Sequence, residues 1–142
     1  MNKKKVLFIC THNSCRSQMA EGLLSSIYGS RFEAYSAGIQ PTSINSYAVE
    51  VMKEIGIDLS KQYSKSIEDF KGTDFDIVVT VCDNARETCP FFPGKKIIHK
   101  GFEDPALFDG SIEKILDYFR KIRDEIKIWI IDTFGEKNAY EI

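Results

Sequence analysis

Val6-Leu7-Phe8-Ile9 is an unbroken apolar run that passes directly into Cys10-Thr11-His12-Asn13-Ser14-Cys15-Arg16, and helical spacing begins at Ser17. The run reads as a fully buried strand, and Met19, Ala20, Leu23, Leu24, Ile27 and Tyr28 keep one helical face until Gly29. A buried strand, a short turn and a helix in direct succession are the unit from which parallel sheets are built.

The rest of the chain repeats the alternation. Phe32–Gly38 alternates as a strand, and Ala48, Val49, Met52 and Ile55 mark a helix that Gly56 stops. A second buried strand, Phe75–Val81, ends on Cys82, and a short apolar piece at Ile97-Ile98 follows the turn-rich segment Cys89–Gly94. Ser111 is placed to cap a long helix in which Ile112, Ile115, Leu116, Phe119, Ile122, Ile126, Trp129 and Ile130 hold one apolar face. Lys114, Arg120, Lys121 and Arg123 read as its solvated face. The expected fold is α/β in three layers, a central four-stranded parallel sheet with helices on both faces. Ligands of such sheets bind beyond the carboxyl ends of the strands, where Cys10 and Cys82 both fall.

With 142 residues and 43% apolar content, one domain spanning 1–142 can bury a core without disulfides or a structural metal. A net charge of −2 argues against nucleic acid or an anionic membrane as partner. Three lysines precede the first apolar run, but that run is too short for a secretion signal, and no later stretch is long enough to span a bilayer. A cytoplasmic, monomeric protein is expected. Thiols stay reduced in that compartment, so the four cysteines read as catalytic, redox or metal residues rather than as structural bridges.

The loop from Cys10 to Ser17 has the chemistry of an oxyanion cradle. A short loop bending into a helix turns successive backbone N–H groups inward, and the helix N-terminus adds about half a positive charge. Arg16 can clamp two anion oxygens with its planar fork. Cys10 sees this positive potential, so its pKa is expected below the roughly 8.5 of a free thiol. Ser17 can donate to that thiolate, and Asn13 tolerates the positive φ of a tight loop. Thr11, His12, Asn13, Ser14, Cys15, Arg16 and Ser17 are the expected oxyanion contacts. His12 adds positive charge at lower pH or simply faces solvent, and His99 is expected to make structural hydrogen bonds.

Cys82, Cys89 and Asp104-Pro105 form a second constellation. If the Cys82 strand lies beside the Cys10 strand, two thiols share one rim, an arrangement suited to electron transfer through disulfides. Cys89, in a Pro- and Gly-flanked loop, can attack in turn, and Asp104 can supply a proton. Competing readings are a buried core cysteine at Cys82, a turn at Asp104-Pro105 and a zinc site, although the Cys10–Cys15 and Cys82–Cys89 spacings strain the usual zinc pattern.

Cys10–Gly22, then Tyr35-Ser36-Ala37-Gly38-Ile39, Val79-Thr80-Val81-Cys82, Cys89-Pro90 and Gly101-Phe102-Glu103-Asp104-Pro105-Ala106 together resemble the thioredoxin-coupled arsenate reductases, which share the low-molecular-weight protein tyrosine phosphatase fold. The resemblance implies Cys10 as nucleophile on arsenate, with phosphate or sulfate as analogues, Arg16 and the loop amides as cradle, and Asp104 as proton donor. It further implies a Cys10-Cys82 disulfide that releases arsenite, a Cys82-Cys89 disulfide that follows, and thioredoxin as the electron donor, with no tightly bound cofactor. A tyrosine phosphatase of the same fold is the alternative. Those enzymes usually have proline where this chain has Gln18 and aromatic residues where it has Ala106-Leu107, and they lack the Cys82 and Cys89 pair. Two further positions depart from the reductases: His12 stands where glycine is frequent, and Lys100 where an aromatic residue is common. In several members, residues matching Asn13, Glu21 and Ser36 bind potassium together with an aspartate. Lys65 stands in that aspartate's place, so the resemblance implies at most a weak monovalent-cation site, with the ammonium able to substitute for the ion.

Overall fold

In the computed structural model, residues 3–83 and 91–135 are described; Cys89 and Pro90 lie outside them. Four parallel strands, β1 (Lys4–Cys10), β2 (Phe32–Gly38), β3 (Ile77–Thr80) and β4 (Lys96–His99), form one sheet in the order β2-β1-β3-β4. Among the described residues, three α-helices, α1 (Arg16–Tyr28), α2 (Ser46–Glu54) and α3 (Ile112–Phe134), connect or follow them. Short 3₁₀ helices occupy Ile67–Phe70 and Pro105–Leu107.

The strands form where β-branched residues concentrate: Ile77-Val78-Val79-Thr80 is β-branched throughout and buried throughout. Alternation sends Val6, Phe8 and Cys10 to one face, against residues of all three α-helices, among them Leu23, Met52, Phe119 and Phe134. Leu7 and Ile9 point the other way, into Phe75, Val78 and Phe92, with Ile67 and Phe70 of the first 3₁₀ helix packed over them. Each fully buried Leu, Ile or Phe contributes about 1.5–3 kcal/mol, so the two faces of β1 hold the centre of the molecule. β4 is an exposed edge, with Ile97 48% accessible.

The helix ends follow side-chain chemistry. Asn45 caps α2 by accepting from the Tyr47 N–H, Gly56 beyond its end takes φ 81°, and Ser111 caps α3 by accepting from the Lys114 N–H. Two expectations for α3 need correction. Ile112, in the first turn, is 64% exposed because the apolar face meets the core only from Ile115 onward, and is fully buried from Phe119. Arg123 is buried: it donates to the Val51 carbonyl at 2.9 Å and pairs with Glu54 at 2.9 Å, which fixes α3 to the end of α2. Arg120 completes that clasp, binding both oxygens of Glu54. The two arginines hold the Glu54 carboxyl below its usual pKa.

No helix among the described residues is long and apolar enough to cross a membrane. The register pairs Cys10 with Gly38, Ile9 with Thr80, and Thr80 with His99, so the strands end together along one edge of the sheet.

Candidate active site

The loop after β1 is shaped by the carbonyls it turns outward. Thr11, His12 and Ser14 carbonyls accept from the N–H groups of Gln40 (2.9 Å), Thr42 (3.2 Å) and Asn45 (3.1 Å). The Asn13 carbonyl accepts from the Ser64 hydroxyl at 2.7 Å, and the Cys15 carbonyl from the Met19 N–H of α1. Every peptide bond here is trans, so each outward carbonyl is antiparallel to the next residue's N–H. The N–H groups of His12, Asn13, Ser14 and Cys15 are thereby turned the opposite way, at the head of α1. Asn13 adopts the left-handed conformation expected of it, φ 51°, and no other described non-glycine residue does so. Gly38 supplies the room: a Cβ there would stand 2.6 Å from the Thr11 oxygen and 2.8 Å from the Asn13 nitrogen.

A directed chain of hydrogen bonds ends on Cys10. Asn13 Oδ1 accepts from the Lys65 N–H and from Gln18 Nε2, both at 2.8 Å, which orients its amide nitrogen toward Ser17. Asn13 Nδ2 donates to Ser17 Oγ at 2.7 Å. Ser17 Oγ lies 2.8 Å from Cys10 Sγ, and when Cys10 is a thiolate, which has no hydrogen to give, the hydroxyl is the donor. Gln62 Nε2 in turn donates to Gln18 Oε1 at 2.7 Å. Asn13, Ser17 and Gln18 are all completely buried.

Arg16 crosses the site from the first turn of α1. Its guanidinium donates to the Phe102 carbonyl at 3.2 Å and lies 3.6 Å from Asp104 Oδ2. Asp104 caps the Pro105–Leu107 helix by accepting from the Ala106 N–H at 3.0 Å, which holds its carboxyl over the loop. Cys10, His12, Ser14, Cys15, Arg16, Thr42, Asp104 and Ala106 line a cavity of about 90 Å³, room for a small ion. Thr11, half-buried, is not among the residues that line it, whereas His12 lines it and is exposed.

The three described cysteines, Cys10, Cys15 and Cys82, are buried and unbridged. Cys82 follows β3, and its thiol donates to the carbonyl of Ile9 at 3.7 Å, the residue immediately before Cys10. The strands β1 and β3 are adjacent, which meets the condition for two thiols on one rim. Burial, reinforced by the Asp104 carboxylate, pushes the Cys15 thiol up to about 12, so it stays neutral. Among the described residues, no group of three or more His, Cys, Asp or Glu side chains is gathered as a metal ion would need. His99 is structural, 2.6 Å through Nδ1 from Thr80 Oγ1.

Behind the loop, Ser36 Oγ donates to Glu21 Oε1 at 2.5 Å, and the Lys65 ammonium stands 3.6 Å from the same oxygen. Burial raises the Glu21 carboxyl, an effect the lysine opposes.

Sequence reasoning assigned no role to Gly38, Gln62 or Ser64, and placed Gln18 only as a departure from proline. A glycine closing a strand beside a tight loop is a readable signal. The glutamine pair carries none, because its partners lie far apart in sequence.

Residues 5–136 match the family model of low molecular weight phosphotyrosine protein phosphatases. An arsenate reductase of Halalkalibacterium halodurans is 48% identical over 137 residues, covering 96% of this chain and 98% of the relative. Among solved structures, an arsenate reductase in the phosphate-binding state superposes with a TM-score of 0.79 at 31% identity, covering 94% of this chain and 98% of the other. A thioredoxin-dependent arsenate reductase of Corynebacterium glutamicum superposes with a TM-score of 0.59 at 30% identity, covering 90% of this chain and 62% of that one. The family model spans most of the chain and the Halalkalibacterium relative is 48% identical along nearly its whole length, so the chain belongs to the low molecular weight phosphotyrosine protein phosphatase family, among its arsenate reductases.

Proposed function

We propose that this chain reduces arsenate to arsenite, with Cys10 as nucleophile and Cys82 and Cys89 as the thiols that supply the electrons. The observation that carries the reading is the position of Cys82, a second buried thiol bonded to the carbonyl that precedes Cys10. Hydrolysis of a phosphate ester has no use for it, whereas arsenic(V) must gain two electrons.

The steps follow from the groups present. The Ser17 hydroxyl, donating to Cys10 Sγ, stabilises the thiolate, while Arg16 and the loop N–H groups bind the oxyanion. The Cys10 sulfur attacks arsenic; an As–O bond breaks and the leaving oxygen departs as water after taking a proton from Asp104. Cys82 then attacks Cys10 Sγ. A sulfur–sulfur bond forms, the sulfur–arsenic bond breaks, and its electron pair remains on arsenic as arsenite leaves. Each sulfur is oxidised by one electron and arsenic is reduced by two. Attack by Cys89 on Cys82 frees the Cys10 thiolate and leaves a Cys82-Cys89 disulfide. A dithiol protein reduces it, and thioredoxin is the donor proposed, supported by the thioredoxin-dependent relative.

Disulfide mapping by mass spectrometry after a single turnover with arsenate tests this, with a Cys82-Cys89 bridge expected. Multiple turnover retained in full by Cys82→Ser would overturn the relay. The second reading, phosphotyrosine hydrolysis, draws on the shared loop and on Asp104 beside Arg16. It predicts hydrolysis that survives loss of Cys82 and Cys89 together but not loss of Cys10.

A further inference from the structure

The region behind the loop brings one cationic side chain into contact with the groups that hold Asn13. The Lys65 side chain is only 11% exposed and that of Glu21 16%. Lys65 Nζ donates to the Tyr63 carbonyl at 2.7 Å, lies over the Tyr63 ring at 4.7 Å from its centroid, and stands 3.6 Å from Glu21 Oε1. The same residue's backbone holds the loop: its N–H donates to Asn13 Oδ1, and its carbonyl accepts from the Gly38 N–H at 2.9 Å.

A potassium ion does not fit among these groups. Asn13 Oδ1 already accepts two N–H donors, and the Tyr63 carbonyl accepts from both Lys65 Nζ and Gln18 Nε2. Glu21 Oε1 is shared by the Ser36 hydroxyl and the ammonium. An added cation coordinated by that carboxylate would face Nζ at close range, and two like charges a few ångströms apart repel strongly where water is scarce.

We infer that Lys65 is a tethered cation: its ammonium neutralises Glu21 in place of a monovalent ion and so keeps the Asn13 support of the catalytic loop independent of potassium. Lys65 is in this sense a positioning residue, acting on Cys10 through Asn13 and Ser17. The inference rests on the proposed function only in taking Cys10 as the nucleophile, and its test uses no arsenate, so the two fail separately.

The test measures the thermal midpoint and the rate of iodoacetamide alkylation of Cys10 at fixed pH, in potassium chloride and in tetramethylammonium chloride at equal ionic strength. The full chain is expected to give the same values in both salts. Lys65→Asp is expected to melt several degrees lower in tetramethylammonium and to regain stability saturably with potassium. A saturable, potassium-specific stabilisation of the unmodified chain would overturn the inference, and so would an absence of any potassium response in folded Lys65→Asp. Should Lys65→Asp not fold, Lys65→Met is expected to alkylate at least threefold more slowly at Cys10, with recovery in Lys65→Arg. An unchanged rate in Lys65→Met would overturn it too.

Discussion

Asn13 Nδ2 donates to Ser17 Oγ across 2.7 Å, and this bond holds the hydroxyl beside the Cys10 sulfur. With one lone pair occupied by the amide, the hydroxyl lies 2.8 Å from Cys10 Sγ with its hydrogen available to the sulfur. The direction is set further back, because Asn13 Oδ1 is fixed by two N–H donors and cannot exchange places with the nitrogen.

Ser17→Ala removes the donor outright. One charge-assisted hydrogen bond contributes about 1.5 kcal/mol, so alkylation of Cys10 at pH 7 should slow by about tenfold. Asn13→Asp keeps the acceptor and loses the donated bond, which should slow it similarly. Iodoacetamide kinetics on the folded variants measure both, and a Ser17→Ala variant as fast as the parent would exclude the hydroxyl from the nucleophile's support.

Gly38→Ala should disturb the loop rather than the sheet. The added methyl would meet two backbone atoms, Thr11 O at 2.6 Å and Asn13 N at 2.8 Å, neither of which can swing aside as a side chain does. A cost of about 1–3 kcal/mol in chemical denaturation is expected, together with loss of the protection that inorganic phosphate gives Cys10 against alkylation. Full protection at parental phosphate concentrations would show that the loop accommodates the methyl.

The strand, loop and first helix were legible because their signals are local: an apolar run, an asparagine suited to φ 51°, and a helical apolar face within one stretch of chain. Arg123 was not legible. On a helix wheel it sits among charges, and it is buried only because α2, 72 positions earlier, delivers the Val51 carbonyl to it. The Gln62–Gln18 bond spans 44 positions and is equally silent in sequence. Cys82 lies between these cases: its strand was readable, but its place beside Cys10 depended on a sheet order that only the folded chain fixes.

Asp76 predicts a pH dependence with a definite sign. Its carboxylate accepts from the Lys5 N–H at 2.8 Å and faces Lys95, and these partners, the Lys5 bond foremost, lower its pKa. A carboxyl depressed in the folded state adds stability above its unfolded pKa of about 3.9 and loses it as pH falls through the folded value. Asp76→Ala should therefore cost about 1 kcal/mol at pH 7, and the gap to the parent should close in acid. Urea denaturation at a series of pH values measures the gap; one that persisted unchanged well below pH 3 would point to packing instead of charge.

Asp104 allows a substitution that separates its capping of the Pro105–Leu107 helix from the proton transfer proposed for it. Asp104→Asn keeps an oxygen for the Ala106 N–H, so the cap and the Pro105–Leu107 turn survive, but it removes the proton. It also removes a negative charge 3.6 Å from Arg16, inside the cavity that is to receive an anion. The two effects act on different constants. Loss of general-acid assistance lowers kcat, by about a hundredfold or more, while loss of the competing carboxylate leaves more of the guanidinium's field for the oxyanion and lowers KM or leaves it unchanged. Steady-state arsenite production in the presence of a reducing dithiol protein gives both values from one data set. A kcat equal to the parent's would remove Asp104 from proton transfer, and a raised KM with unchanged kcat would recast it as a residue that shapes the cavity for binding alone.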